Sequence, residues 1–223
     1  MRLAARRASR NAFYRYSVVL LLLTAAFTFA MIAPAGNWAH VVSALLQGGA
    51  VLAALSRAKA DRWLVVLGLA AVGVTVAAAA GAAAAGGRWL GAAADLASAG
   101  LLLLVPVAIV VEFRRHLEVT VQSVMAALCI YVVLGMFFAS VASAVSAISG
   151  LAYFAGQSTA NTADYTYFSF ITLATVGYGD FVPVLRLGRA LAVLEGLMGQ
   201  LYLVTVVALV VGNLSLGRRN PDR

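Results

Sequence analysis

The chain has one cysteine, four prolines, two histidines and only eight acidic residues in 223. A single thiol excludes a disulfide framework, and Cys129, set in an apolar run, reads as a small buried side chain. So few prolines also argue against a low-complexity chain. His40 and His116 are isolated and imply no metal. No nucleophile–base pair and no cluster with metal-ligand spacing is present, so neither an enzyme nor a bound cofactor is expected. Charge is scarce too, at 11%, against 63% hydrophobic residues and a mean hydropathy of +0.96. A soluble domain could not hide that much apolar surface, which leaves an integral membrane protein.

What charge there is has a pattern. Residues 1–16 hold Arg2, Arg6, Arg7, Arg10 and Arg15 and no acid. Apolar runs follow at 17–33, 38–55, 63–85, 92–111, 119–148 and 187–214. The fifth is longer than a bilayer core of about 30 Å requires, so its first turns are expected along the inner surface. With the N-terminus cytoplasmic, thirteen of the sixteen Lys and Arg fall inside. Only Arg88, Arg186 and Arg189 fall outside, which fits the positive-inside rule. The net charge of +8 is therefore topological. Anionic lipid headgroups are its expected partners, and nucleic acid is not. Residues 1–36 also read as a secretory signal, with a basic start, an apolar run and Ala33-Pro34-Ala35. The run is long for that role, Pro34 is awkward in the cleavage motif, and the remaining topology is the same either way.

Between the last two runs lies Thr175-Val176-Gly177-Tyr178-Gly179-Asp180, preceded by an aromatic, helix-compatible stretch, 164–174. A backbone that aims successive carbonyls at one line must alternate left- and right-handed dihedrals, which Gly does without a Cβ penalty. Such a column of oxygens can replace the water shell of a potassium ion. The alternative is a tight turn with Tyr178 as an interfacial anchor, but a turn does not require this string. Pro183, Gly188-Arg189 and Gly199 follow at spacings that extend the likeness. The stretch resembles the pore of the tetrameric potassium channels, in particular the small bacterial two-helix ones.

The resemblance implies an all-α membrane protein with six transmembrane helices. A re-entrant pore helix and selectivity-filter loop would lie between helices five and six. Carbonyls of Thr175, Val176, Gly177 and Tyr178, with the Thr175 hydroxyl, would hold K+ as permeant ion. Tyr178 would brace the filter laterally, Gly179 would close the outer mouth, and Asp180 would sit behind it. One loop per chain and no internal repeat imply a homotetramer. Gly199 resembles the inner-helix glycine at which such channels bend; the other reading is close packing against the pore helix. Gln200, Leu203, Val207 and Val211 would line the inner cavity.

Two departures stand out. Ile171 occupies a position often acidic in those channels, so the acid–Asp pair behind the filter is missing. Tyr167, in the usual aromatic pair with Phe168, is expected to hydrogen-bond Asp180 instead. Ala174 replaces a common second threonine, with little effect expected on selectivity. Glu195 shares a helical face with Gly199. Two readings stand: a filter support bonded to Thr172 or Ser169, or a paired or protonated structural carboxyl.

The expected layout is a basic N-terminus (1–16), a four-helix bundle (17–118), a pore domain (119–214) and a tail (215–223) too short for a ligand-binding domain. The chain would cross the cell membrane several times with both termini cytoplasmic. Voltage sensing needs repeated basic residues within the membrane, and 92–111 contains none; Arg114 and Arg115 read as boundary anchors. The Ala/Gly-rich bundle reads as a scaffold. Asp95 reads as a solvated boundary residue, with a pH or cation contact as the other possibility. Rival functions on the same frame are a weakly selective cation channel and a non-conducting sensor or assembly subunit. A potassium-transporter subunit is a third, though it usually carries four pore loops in one chain.

Overall fold

A computed structural model describes residues 2–33, 37–58, 61–115 and 121–218, with side chains for 16–33, 38–58, 61–112, 123–206 and 208. The described residues are helical apart from short connections. The helices are α1 (Arg2–Ile32), α2 (Asn37–Arg57), α3 (Arg62–Ala85), α4 (Arg88–Leu102), α5 (Leu104–Arg115), α6 (Val121–Ser149), α7 (Thr162–Leu173) and α8 (Arg186–Arg218).

Among the described residues, five segments are long and apolar enough to cross a membrane: Trp38–Arg57, Arg62–Ala85, Arg88–Glu112, Ser123–Ser149 and Arg186–Val206. The first expected span is weaker. α1 starts at Arg2, inside the stretch read as a separate basic terminus, and its apolar part is only Tyr16–Ile32. That part measures roughly 25 Å at 1.5 Å per residue. The turn between α3 and α4 is short. Gly86 (φ 67°) and Gly87 (φ 94°) alone reverse the chain, and α4 begins at Arg88. Further on, Pro106 has no N–H to give the Leu102 carbonyl, and the helix breaks at Leu103. The fourth span is therefore two helices, α4 and α5.

Apolar side chains of α1, α2, α4, α5 and α6 share one core, which includes Leu23, Val51, Leu102, Val105 and Val133. Cys129 is fully buried within it, as its sequence context suggested. The short helix α7 packs against α6, α8 and also α1. The Phe27 and Phe170 rings meet at 4.4 Å. Gly135 of α6 makes room for that contact, because a Cβ there would come within 2.6 Å of the Phe170 ring. The first helix of the bundle thus touches α7 directly.

The segment after α6 is no solvated loop. Tyr153 and Phe154 are each only 1% exposed and pack with Tyr165 and Phe168. Ala155 N–H donates to the Val182 carbonyl and Val184 N–H to that of Tyr153, both at 2.9 Å. These bonds tie the chain before α7 to the chain after the glycine-rich string. Burial pushes the Tyr153 phenol up, so it remains a neutral filler of this plug.

Candidate ion-conduction site

The start of α7 is fixed by a reciprocal cap. The Asn161 side chain accepts from Ala163 N–H (2.8 Å) and Asp164 N–H (3.2 Å), and the Asp164 carboxylate accepts from Asn161 N–H (2.8 Å). The other end points its unsatisfied carbonyls at the Thr-Val-Gly-Tyr-Gly string. Thr175 N–H donates to the Thr172 carbonyl at 2.9 Å. Val176 and Gly177 N–H both donate to the Ile171 carbonyl, at 2.8 and 3.2 Å. In a trans peptide the C=O is antiparallel to the next residue's N–H. Three consecutive carbonyls, those of Ala174, Thr175 and Val176, therefore face away from α7.

That alignment needs left-handed backbone at alternate residues, and Thr175, Gly177 and Gly179 have φ of 56°, 51° and 82°. The glycines were legible for this role. Thr175 was not: a β-branched residue in that region costs about 1–3 kcal/mol and has to be held by its surroundings. Residues 174–180 are exposed in the single chain, with Tyr178 at 72%.

Behind the string, the Tyr167 hydroxyl donates to Asp180 Oδ2 at 2.8 Å, the bond expected from the sequence. Phe181 N–H donates to Asp180 Oδ1 at 3.1 Å, so both carboxylate oxygens are engaged. Glu195 is buried and meets Ser169 rather than Thr172. Ser169 Oγ also lies 2.6 Å from the Gly135 carbonyl oxygen. A hydroxyl has one proton and can donate to only one of these neighbours. Both contacts are hydrogen bonds when the Glu195 carboxyl carries a proton of its own. This chain of groups joins α8, α7 and α6; Ser169 was one of two partners expected for Glu195, whereas Gly135 had signalled none.

Gly199 faces the end of α7. A Cβ there would collide with the Leu173 carbonyl, while α8 runs through this position without a break. Its surroundings are those of close packing. Gln200 and Leu203 are exposed along α8, whereas the side chains of Val207 and Val211 lie outside the described residues.

Residues 124–215 match a family model described as an ion channel. The ion-channel match covers α6, α7, the string and most of α8, and stops short of α1–α5. No curated protein and no solved structure matches the chain. The ion-channel segment is thus the part with three aligned carbonyls, and ion conduction across a membrane is the activity it suggests. An enzyme has no support from this family.

Asp95 is the residue read least well. It is no solvated boundary group: it is only partly exposed, and Ser143 Oγ donates to its Oδ2 at 2.6 Å.

Proposed function

We propose that the chain is one subunit of a homotetrameric potassium channel that passes K+ down its gradient. The observation that carries this reading is the common direction of the Thr175 and Val176 carbonyls, set by N–H bonds to the end of α7. Together with the carbonyls of Gly177 and Tyr178, four copies would give rings of oxygens that substitute for the hydration shell of K+. The C-terminal end of α7 carries partial negative charge beside the ion path. The permeant ion is the only one required, and no cofactor enters.

Assembly is supported by what a single chain leaves uncovered. Leu197, Leu201 and Val204 of α8 are 54%, 63% and 65% exposed. A helix that is apolar on most sides needs lipid or neighbouring helices around it. A cyclic tetramer supplies both, and brings four strings to one axis. Gln200, Leu203, Val207 and Val211 would then border the cavity below the filter, and its apolar lining fits a gate that closes by narrowing and dewetting. Gly199 would serve as the bend only if α8 separates from Leu173. In this reading α1 is the first of six spans, with both termini cytoplasmic, and the basic inner segments contact anionic headgroups.

The test is flux from proteoliposomes. Purified protein in vesicles loaded with K+ should discharge a K+ gradient, and barium should block the discharge. Vesicles that hold the gradient under every pH and voltage tried would overturn the proposal.

A further inference from the structure

A cavity of about 40 Å³ lies where the four-helix bundle meets α7. Its polar lining comes from four helices: Ser43 and Gln47 of α2, Asp95 of α4, Ser140 and Ser143 of α6, and Thr162, Tyr165 and Thr166 of α7. That space suits one small ion or a water or two. Asp95 and Ser143 sit about 10 Å along their helices from the ends Arg88 and Ser149. The cavity therefore lies about two turns inside the helix ends.

One of these oxygens is short of a partner. Gln47 is 7% exposed, and its side-chain carbonyl Oε1 has no hydrogen bond. An unpaired amide oxygen at that depth is costly, on the order of 1–3 kcal/mol. Ser143 and Thr166 have already given their protons, to Asp95 Oδ2 (2.6 Å) and to the Thr162 carbonyl (2.7 Å). What they present to the cavity is lone pairs. Among the described residues no Lys, Arg or His lines it. The Asp95 carboxylate, the bare Gln47 amide oxygen and the spent hydroxyls of Ser143 and Thr166 offer acceptors, and the Ser43, Ser140 and Tyr165 hydroxyls can rotate to add lone pairs. Such a set takes a hard cation.

We propose that this cavity binds one small alkali cation, with sodium as the probe, and that the ion joins α2 and α4 to α7. One carboxylate selects for single charge. A monovalent ion leaves the site neutral, whereas a divalent ion would leave an uncompensated positive charge within the bundle. The inference does not depend on which ion the pore passes. It gives the bundle a role beyond scaffolding, because an occupant would hold the start of α7 to helices outside the pore.

The test is thermal unfolding of the full-length protein in lipid nanodiscs. Potassium is held constant while sodium replaces N-methylglucamine at fixed ionic strength. A ligand that binds only the folded state raises Tm saturably. Wild type should show that rise, and Asp95→Asn should lose it while keeping its response to added potassium. Should Asp95→Asn not fold, Gln47→Leu removes the unpaired oxygen at similar volume and should weaken the sodium response about tenfold or more. Magnesium in place of sodium should give no saturable rise in wild type. Sodium-independent Tm in wild type overturns the proposal. So does a sodium response that survives both Asp95→Asn and Gln47→Leu, or one that magnesium reproduces.

Discussion

At the scale of single residues, the string is held by a few bonds that can be removed one at a time. Tyr167→Phe deletes the hydroxyl that meets Asp180. If that bond braces the filter, sustained current should decay faster than in wild type; decay at the wild-type rate rejects the role. Glu195 makes a sharper comparison. With a protonated carboxyl against Ser169, Glu195→Gln preserves shape and a donor and should leave thermal stability within about 1 kcal/mol of wild type. Glu195→Ala leaves buried Ser169 without that neighbour and opens a void, so it should cost about 1–3 kcal/mol more. Equal losses in the two variants would mean that the charge, not the hydrogen bond, is what the site requires.

At the scale of helices, what could be read from the chain depended on periodicity and on backbone chemistry. The apolar runs were legible because a membrane helix must satisfy its own backbone and expose apolar side chains, and α2, α3 and α6 follow them closely. The α4–α5 break was half legible. Pro106 was visible, but the loss of the Leu102 partner becomes a break only where neighbouring helices permit it. The Tyr153–Phe154 plug was not legible, since its burial depends on Tyr165 and Phe168, which are distant in sequence and adjacent only once α7 folds back. The same is true of Gln47 beside Asp95, whereas Ser169 beside Glu195 was half legible, as one of two candidates on the facing helix. The string itself was the clearest signal, although positive φ at Thr175 could not be read from its side chain. Two helix-level tests follow. Asn161→Ala removes the α7 cap and should cost about 1 kcal/mol by thermal melting. Gly199→Ala should push α8 off the Leu173 carbonyl and lower Tm by more than Gly196→Ala. At Gly196 a Cβ meets only the Thr172 carbonyl oxygen, at 3.8 Å. Equal Tm values would show that α8 moves freely at Gly199.

At the scale of the whole molecule, the proposed tetramer makes one chain a quarter of the throat. The chain itself presents an α8 with broad apolar exposure and a bundle packed on α7 through α1. The segment from Trp89 to Phe113 carries no Lys or Arg, so this bundle should not give steep voltage dependence. Moving one charge across the membrane is worth about 2.3 kcal/mol per 100 mV. The limiting slope of open probability should report no more than about one elementary charge per tetramer; several would contradict the assignment of a charge-free bundle. The central claim concerns the oxygens of the string and the ion they favour. Its most direct test is the reversal potential of the purified protein in a planar bilayer, with potassium on one side and an equal concentration of sodium on the other. Under potassium gradients alone, the account predicts a shift of about 59 mV per tenfold change. Under the mixed condition it predicts a reversal potential far towards the potassium limit; a value near zero, with sodium carrying current as readily, would contradict it.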